Sequence, residues 1–197
     1  MDGLSWRQSD SRCPRLSALR LLEIPFWNFD GEEQRGELVV AAEVSQDILG
    51  VFAKLWHARF PIERMVRIDY FNADDERSMA ANNCSGFCFR VIDGSPPAGG
   101  SPRLSMHALG LAVDINPVQN PYVTSHASDG KIFPLVGTHY LDRTDRRPGM
   151  IIRPSIVIDA FAAMGWQWGG DWTSKSDYHH FEPTAPHSQN LPGTLRL

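Results

Sequence analysis

A chain of 197 residues with a formal charge of -4 is long enough to bury the core of one domain. Its arginines and lysines are scattered apart from the short 143–147 stretch, which excludes a broad basic face for nucleic acid, and no run of about eighteen apolar residues is present to span a membrane. Three cysteines, Cys13, Cys84 and Cys88, are too few and too odd in number for a disulfide framework, and the first thirty residues lack an apolar stretch of signal-peptide length.

Residues 1–36 mix charge, proline and aromatics and are expected as an extended N-terminal arm, ahead of a domain over 37–186 and a tail over 187–197. From Glu37 to Phe60 the apolar residues Leu38, Ala41, Ala42, Ile48, Leu49, Phe52, Leu55 and Trp56 recur at steps of three and four, which predicts an amphipathic helix ended by Pro61. Met65–Tyr70 and Phe87–Ile92 alternate well enough to be expected as strands. Gly94–Pro102 is rich in Gly, Pro and Ser and is expected as a loop. Ala112–Ile115 follows as a buried strand, and 118–148 as a long irregular segment of the kind that serves as a lid.

Pro154–Met164 is predicted as a second helix, closed by Gly165 in the left-handed conformation. Trp166 and Trp168 alternate as in a strand, Gly169 and Gly170 permit a sharp turn, and His179–Pro183 reads as the final strand. The class expected is α+β: a single domain with a small antiparallel sheet flanked by helices.

Two clusters carry chemistry. His107 and Asp114 lie within Ser105-Met-His-Ala-Leu-Gly-Leu-Ala-Val-Asp114, and Asp177-Tyr-His-His180-Phe-Glu182 follows much later in the chain. Two imidazoles and a carboxylate suit one hydrolytic Zn2+, which needs a few N or O ligands and one open position for water. His107, Asp114 and His180 are the candidate ligands, and Asp177, three residues before His180, is the candidate general base. Neighbouring residues of a strand face opposite ways, so His179 is expected to support the site from behind or to lie at the surface.

Glu182 is a rival base, better read as a structural partner of His180. Arg90 fits either a cation for an oxyanion or an ordinary salt bridge. Trp166 and Trp168 are expected in the core, with Trp172 a candidate for a cleft wall. The cysteines are expected as free thiols, and His57, His126, His139 and His187 receive no role.

The pattern Ser-x-His-x-x-Gly-x-Ala-x-Asp over Ser105–Asp114, followed by Asp177-x-x-His180 and preceded by Arg90, resembles the zinc D-alanyl-D-alanine peptidases. That group includes VanY-like carboxypeptidases, VanX-like dipeptidases and L-alanyl-D-glutamate endopeptidases. Gly165-Trp-x-Trp-Gly-Gly-Asp-Trp172 is most similar to the carboxypeptidase and endopeptidase branch. The resemblance implies a hedgehog-like α+β fold, one zinc on His107, Asp114 and His180, Asp177 as base and Arg90 on the scissile carbonyl. It also implies peptidoglycan stem peptides as substrate for a monomeric enzyme. A zinc-containing peptidoglycan-binding module without turnover and a zinc hydrolase of non-peptide substrates are the alternatives.

Overall fold

Strand β1 (Leu19–Trp27) and strand β2 (Glu33–Ala41) pair as an antiparallel hairpin, with Leu19 opposite Ala41 and Trp27 opposite Glu33. Asn28 shapes its turn, its side-chain oxygen accepting from the backbone N–H groups of Asp30 and Glu32, as short amide side chains do in turns. The structure is a computed structural model that describes residues 4–92, 102–127 and 129–184. Most of the loop expected over 94–102 and all of the 187–197 tail lie outside the described residues. The hairpin occupies part of the stretch expected as an arm, and its Leu22, Ile24 and Phe26 enter the main core.

The helix expected over 37–60 is divided. Leu38–Ala41 belongs to β2, and helix α1 spans only Ser45–His57. It stops short of Pro61 because Arg59 takes a positive φ of 51°, which an α-helix cannot contain. Ile48, Val51, Phe52 and Leu55 face the core from α1, a spacing of three and four that gives a helix one apolar stripe.

Neither Met65–Tyr70 nor Phe87–Ile92 forms the expected strand. Residues 68–71 coil into a 3-10 turn. The amides of Phe87, Cys88 and Phe89 donate to three separate elements, through the carbonyls of Val39, His107 and Ser5. An extended segment whose bonds scatter in this way satisfies its backbone without building a ladder. Helix α2 (Asp75–Ala80) intervenes, capped by the Asp74 side chain accepting from Arg77 N–H.

Two further sheets, each three-stranded and antiparallel, shape the rest. In one, strand β3 (Val113–Asp114) pairs with β8 (His180–Pro183), which pairs in turn with β6 (Trp166–Trp168). In the other, strand β4 (Tyr122–Val123) lies between β5 (Ile132–Phe133) and β7 (Ser176–Asp177). The segment 118–148 therefore differs from the irregular lid expected: it supplies two strands and a 3-10 turn at 135–140.

Arg143 ties that segment down, donating to the carbonyls of Gln119, Tyr140 and Ile151 and to Asn120 Oδ1. Helix α3 (Ile156–Ala162) starts on Ser155, whose hydroxyl accepts from Val157 N–H, and the chain turns at Gly165 with φ 79°, as expected. Phe161 of α3 stacks on Phe181 of β8 at 4.1 Å, joining the helical layer to the strand that carries His180. Among the described residues no helix is long and apolar enough to cross a membrane. The α+β class holds, with the sheet divided into three small antiparallel parts.

Candidate active site

The first cluster is held by a short turn. Ser105 Oγ accepts from His107 N–H at 3.3 Å, opening the 3-10 turn Met106–Leu109, and Gly110 closes it at φ 72°. A side chain at Gly110 would stand 2.6 Å from Ala41 N, so both the conformation and the space demand glycine. The turn points His107 inward, where its ring is 2% exposed. Asp114 lies on β3 directly opposite His180 on β8, so the antiparallel ladder sets two candidate ligands side by side.

Each imidazole has one nitrogen occupied from behind. His107 Nδ1 is 2.6 Å from Gly86 O, and His180 Nε2 is 3.1 Å from Glu182 Oε2. Donation of those N–H groups leaves His107 Nε2 and His180 Nδ1 to face Asp114, the outer bond fixing each tautomer as in metal sites. The two nitrogens are 3.3 Å apart, His107 Nε2 is 3.1 Å from Asp114 Oδ2, and His180 Nδ1 is 3.0 Å from Asp114 Oδ1.

These spacings test whether a cation fits. Ligands about 2.0–2.1 Å from a tetrahedral zinc stand about 3.3 Å apart along each edge of the tetrahedron. The three donor groups match that edge, and all lie within 4.8 Å of one another. Two ring nitrogens approaching one carboxylate and each other cannot all be reconciled by protons, because two N–H groups at this separation repel. One divalent ion satisfies every atom, so the residues fit the group that the sequence implied.

Without a cation the charges of the site interlock. Burial works against protonating His180, but hydrogen bonds to Asp114 and Glu182 overcome it and bring its pKa to about 10. Burial likewise opposes the ionised form of Asp114, yet His107 and His179 hold its pKa well below the usual carboxylate range. Ser85 adds a hydroxyl at 3.4 Å from Asp114 Oδ2. Gln167, paired with Glu182 across β6 and β8, donates to Glu182 Oε1 at 3.0 Å. Glu182 thus lies on the outer side of His180 as its partner.

Asp177 comes from β7, opposite Tyr122. The backbone of Gly169 passes so close that a Cβ there would be 2.6 Å from Asp177 O. Asp177 is buried, and its Oδ1 lies 3.0 Å from His179 Nε2 but off the hydrogen-bonding direction, so that oxygen has no aligned donor among the described residues. Buried carboxylate oxygens normally have one.

His179 differs from expectation. It is 3% exposed and its Nε2 also lies 3.9 Å from Asp114 Oδ2, so it faces the same carboxylates as His180 instead of the opposite side. The reason is local: β8 begins at His180, and residues 178–179 form a turn to which strand alternation does not apply. His179 Nδ1 is 2.7 Å from Asn120 O. With that N–H given to a carbonyl, Nε2 can meet a carboxylate favourably only as a second N–H, which makes the ring a cation. Its pKa accords: burial lowers it, but Asp177 and Asp114 outweigh burial and bring it to about 9.

Arg90 lines the same cleft. Its Nη2 is 3.0 Å from Asp75 Oδ2, and its Nη1 donates to Ser105 Oγ at 3.4 Å. Burial opposes its charge, while Asp75 and, farther off, Asp114 and Asp177 raise its pKa. The cleft has a volume of about 410 Å³ and brings together His107, Asp114, Asp177, His180 and Arg90. Trp172 forms part of its wall, its ring 5.5 Å from that of His180, while Trp166 and Trp168 are core residues.

The sequence did not single out Asn120. Fully buried, it donates from Nδ2 to the carbonyls of Ile115, Asn116 and Gly149 and accepts on Oδ1 from Ile151 N–H and Arg143. Its own carbonyl anchors His179. The only sequence signal was an Asn-Pro pair repeated four residues after Asn116-Pro117.

Residues 99–183 match the family model described as D-alanyl-D-alanine carboxypeptidase, which bears out the resemblance carried by the two motifs. The match takes in His107, Asp114, Asp177 and His180 and begins after Arg90. No curated protein and no solved structure matches the chain.

Proposed function

With residues 99–183 matching the D-alanyl-D-alanine carboxypeptidase family model, we propose that the chain is a zinc peptidase of peptidoglycan stem peptides containing D-amino acids, acting as a D,D-carboxypeptidase or an L-Ala-D-Glu endopeptidase. The observation that carries this reading is the convergence of His107 Nε2, Asp114 and His180 Nδ1 at tetrahedral-edge spacing, with Asp177 in the same cleft. A divalent ion held by those three residues supplies a Lewis acid that polarises a carbonyl and lowers the pKa of water.

The remaining work falls to side chains of this chain. Asp177 accepts a proton from water as the water oxygen bonds to the amide carbon. The same carboxyl returns that proton to the amide nitrogen as the C–N bond breaks, so amide and water give an acid and an amine. His179, fixed by Asn120 O, stands 3.0 Å from Asp177 Oδ1 and so helps to hold that carboxylate in place. Arg90, oriented by Asp75 and Ser105, offers positive charge to the carbonyl oxygen as negative charge develops there. A module that merely binds the wall has no use for a further buried carboxylate beside the three residues that could hold an ion, and Asp177 is such a group.

The test is hydrolysis of an acyl-D-Ala-D-Ala peptide and of an L-Ala-γ-D-Glu peptide by zinc-loaded protein, followed by amine release. Turnover should stop with a chelator and return with zinc. Asp177→Asn should lose about 10²–10⁴-fold in kcat while retaining one zinc. Near-normal turnover by Asp177→Asn would remove it as the base, and no turnover of either peptide by the loaded wild type would remove the peptidase reading.

A further inference from the structure

Every carboxylate that lines the cleft has a partner. Asp75 pairs with Arg90, Asp114 with His107 and His180, Asp177 with His179, and Glu182 with His180. Lys175 lines the same cleft and forms no ion pair with a carboxylate among the described residues. Its ammonium is nevertheless fixed: Nζ lies 4.5 Å from the centre of the Trp172 ring, 5.4 Å from that of Tyr122 and 3.5 Å from the Tyr122 hydroxyl. A half-buried lysine held between two aromatic faces has already lost much of its side-chain freedom. Such a cation is prepared for an anion that arrives with the ligand.

Its place in the chain indicates which anion. Lys175 stands two residues before Asp177, immediately ahead of β7, and both side chains line the same cleft. In the proposed reaction Asp177 delivers a proton to the leaving nitrogen, so Lys175 lies beside the leaving half of the substrate. We infer that Lys175, with the Tyr122 hydroxyl, is the anchor for a free α-carboxylate on the carbon attached to the leaving nitrogen, and so determines which peptide bonds are accepted. This inference rests on the peptidase reading for its orientation of the substrate. Two kinds of residue carry that group at that position: a C-terminal amino acid, and a glutamate linked onward through its γ-carboxyl. An internal, α-linked residue carries none and should be refused.

The experiment uses zinc-loaded full chain with two matched substrate pairs. One pair is an acyl-D-Ala-D-Ala peptide and its C-terminal amide; the other is an L-Ala-γ-D-Glu peptide and its α-amide. The wild type should favour the carboxylate over the amide by about tenfold or more in kcat/KM on at least one pair, the usual worth of a charge-assisted hydrogen bond. The pair that discriminates identifies a terminal residue or a γ-linked glutamate as the source. Lys175→Met should bring that ratio close to one, chiefly through KM, and Lys175→Arg should retain most of it.

Hydrolysis without preference for the carboxylate, or a preference unchanged in Lys175→Met, would overturn the anchor and leave the peptidase reading intact. If no peptide is cleaved, the peptidase reading fails. Calorimetric binding of the same pairs to wild type and Lys175→Met then decides the anchor by the same ratio.

Discussion

The two halves of the molecule are held together by different forces. In the half formed by β1, β2, α1 and α3 the contacts are apolar, with Ile24, Leu38, Ile48, Leu55 and Phe161 each exposed by 1% or less. The half that carries the cleft buries apolar residues such as Ile115 and Phe181 as well, but it also buries a set of polar groups: His107, Asp114, Asn116, Asn120, His179 and His180. The first gains stability by removing carbon from water. The second can be stable only if each donor and acceptor has its partner, because a buried polar group left without one is costly. The comparison teaches that the cleft half is where a missing cation should be felt, while the apolar half should be indifferent to it.

The largest expected effect breaks the apolar half. Phe52→Ala removes a ring of α1 that is 2% exposed and should cost about 3–5 kcal/mol, read by denaturant unfolding, with the same loss whether zinc or a chelator is present. A cost that depends on zinc would mean that the two halves are not separate in their energetics. Asn120→Ala breaks the polar half. It strips five hydrogen bonds from one buried side chain, at about 1–3 kcal/mol for each group left without a partner after relaxation. It should also lower turnover, since the backbone carbonyl that holds His179 loses its brace. Full activity in a destabilised Asn120→Ala protein would show that His179 needs no such support.

Removal of metal should sharpen the contrast. If zinc is present at about a thousand times its dissociation constant, chelation removes about 4 kcal/mol of apparent stability. Amide exchange should accelerate around β3, β8 and residues 106–110 well before α1. Uniform acceleration would contradict the division. The smallest effect concerns the thiols. Burial pushes Cys84 up to about 12 and Cys88 up to about 11, and the thiolate is the reactive form. A thiol reagent at pH 8 should therefore leave both unmodified until the protein unfolds, and rapid labelling of either in the native state would refute that.

The legibility of the sequence follows the same division. The grouping of His107, Asp114 and His180, which the structure brings together, was legible because candidate metal ligands are rare residue types at short fixed spacings. The α3 helix was readable because Pro154 and Gly165 mark its ends, although the structure starts it on Ser155. Leu38–Ala41 was misread as helix for a physical reason: β2 is covered on both faces. Leu38 and Val40 enter the main core and Val39 a second cluster with Leu19, Phe87 and Phe89, so the strand shows no alternation and its apolar run fits a helical spacing by chance. Strands β4, β5 and β7 have two residues each, too few for any period to register. The roles of Asn120 and Lys175 depend on which distant segments they meet, and neither has a local pattern to reveal it.

The central claim is that a single divalent ion sits among His107, Asp114 and His180. Anomalous diffraction at the zinc edge from crystals of the zinc-loaded protein tests it most directly. The account predicts one strong peak at bonding distance from His107 Nε2, an Asp114 carboxylate oxygen and His180 Nδ1, with His179 outside the coordination sphere. A peak bound by His179 in place of His180, or no peak at that position, would contradict it.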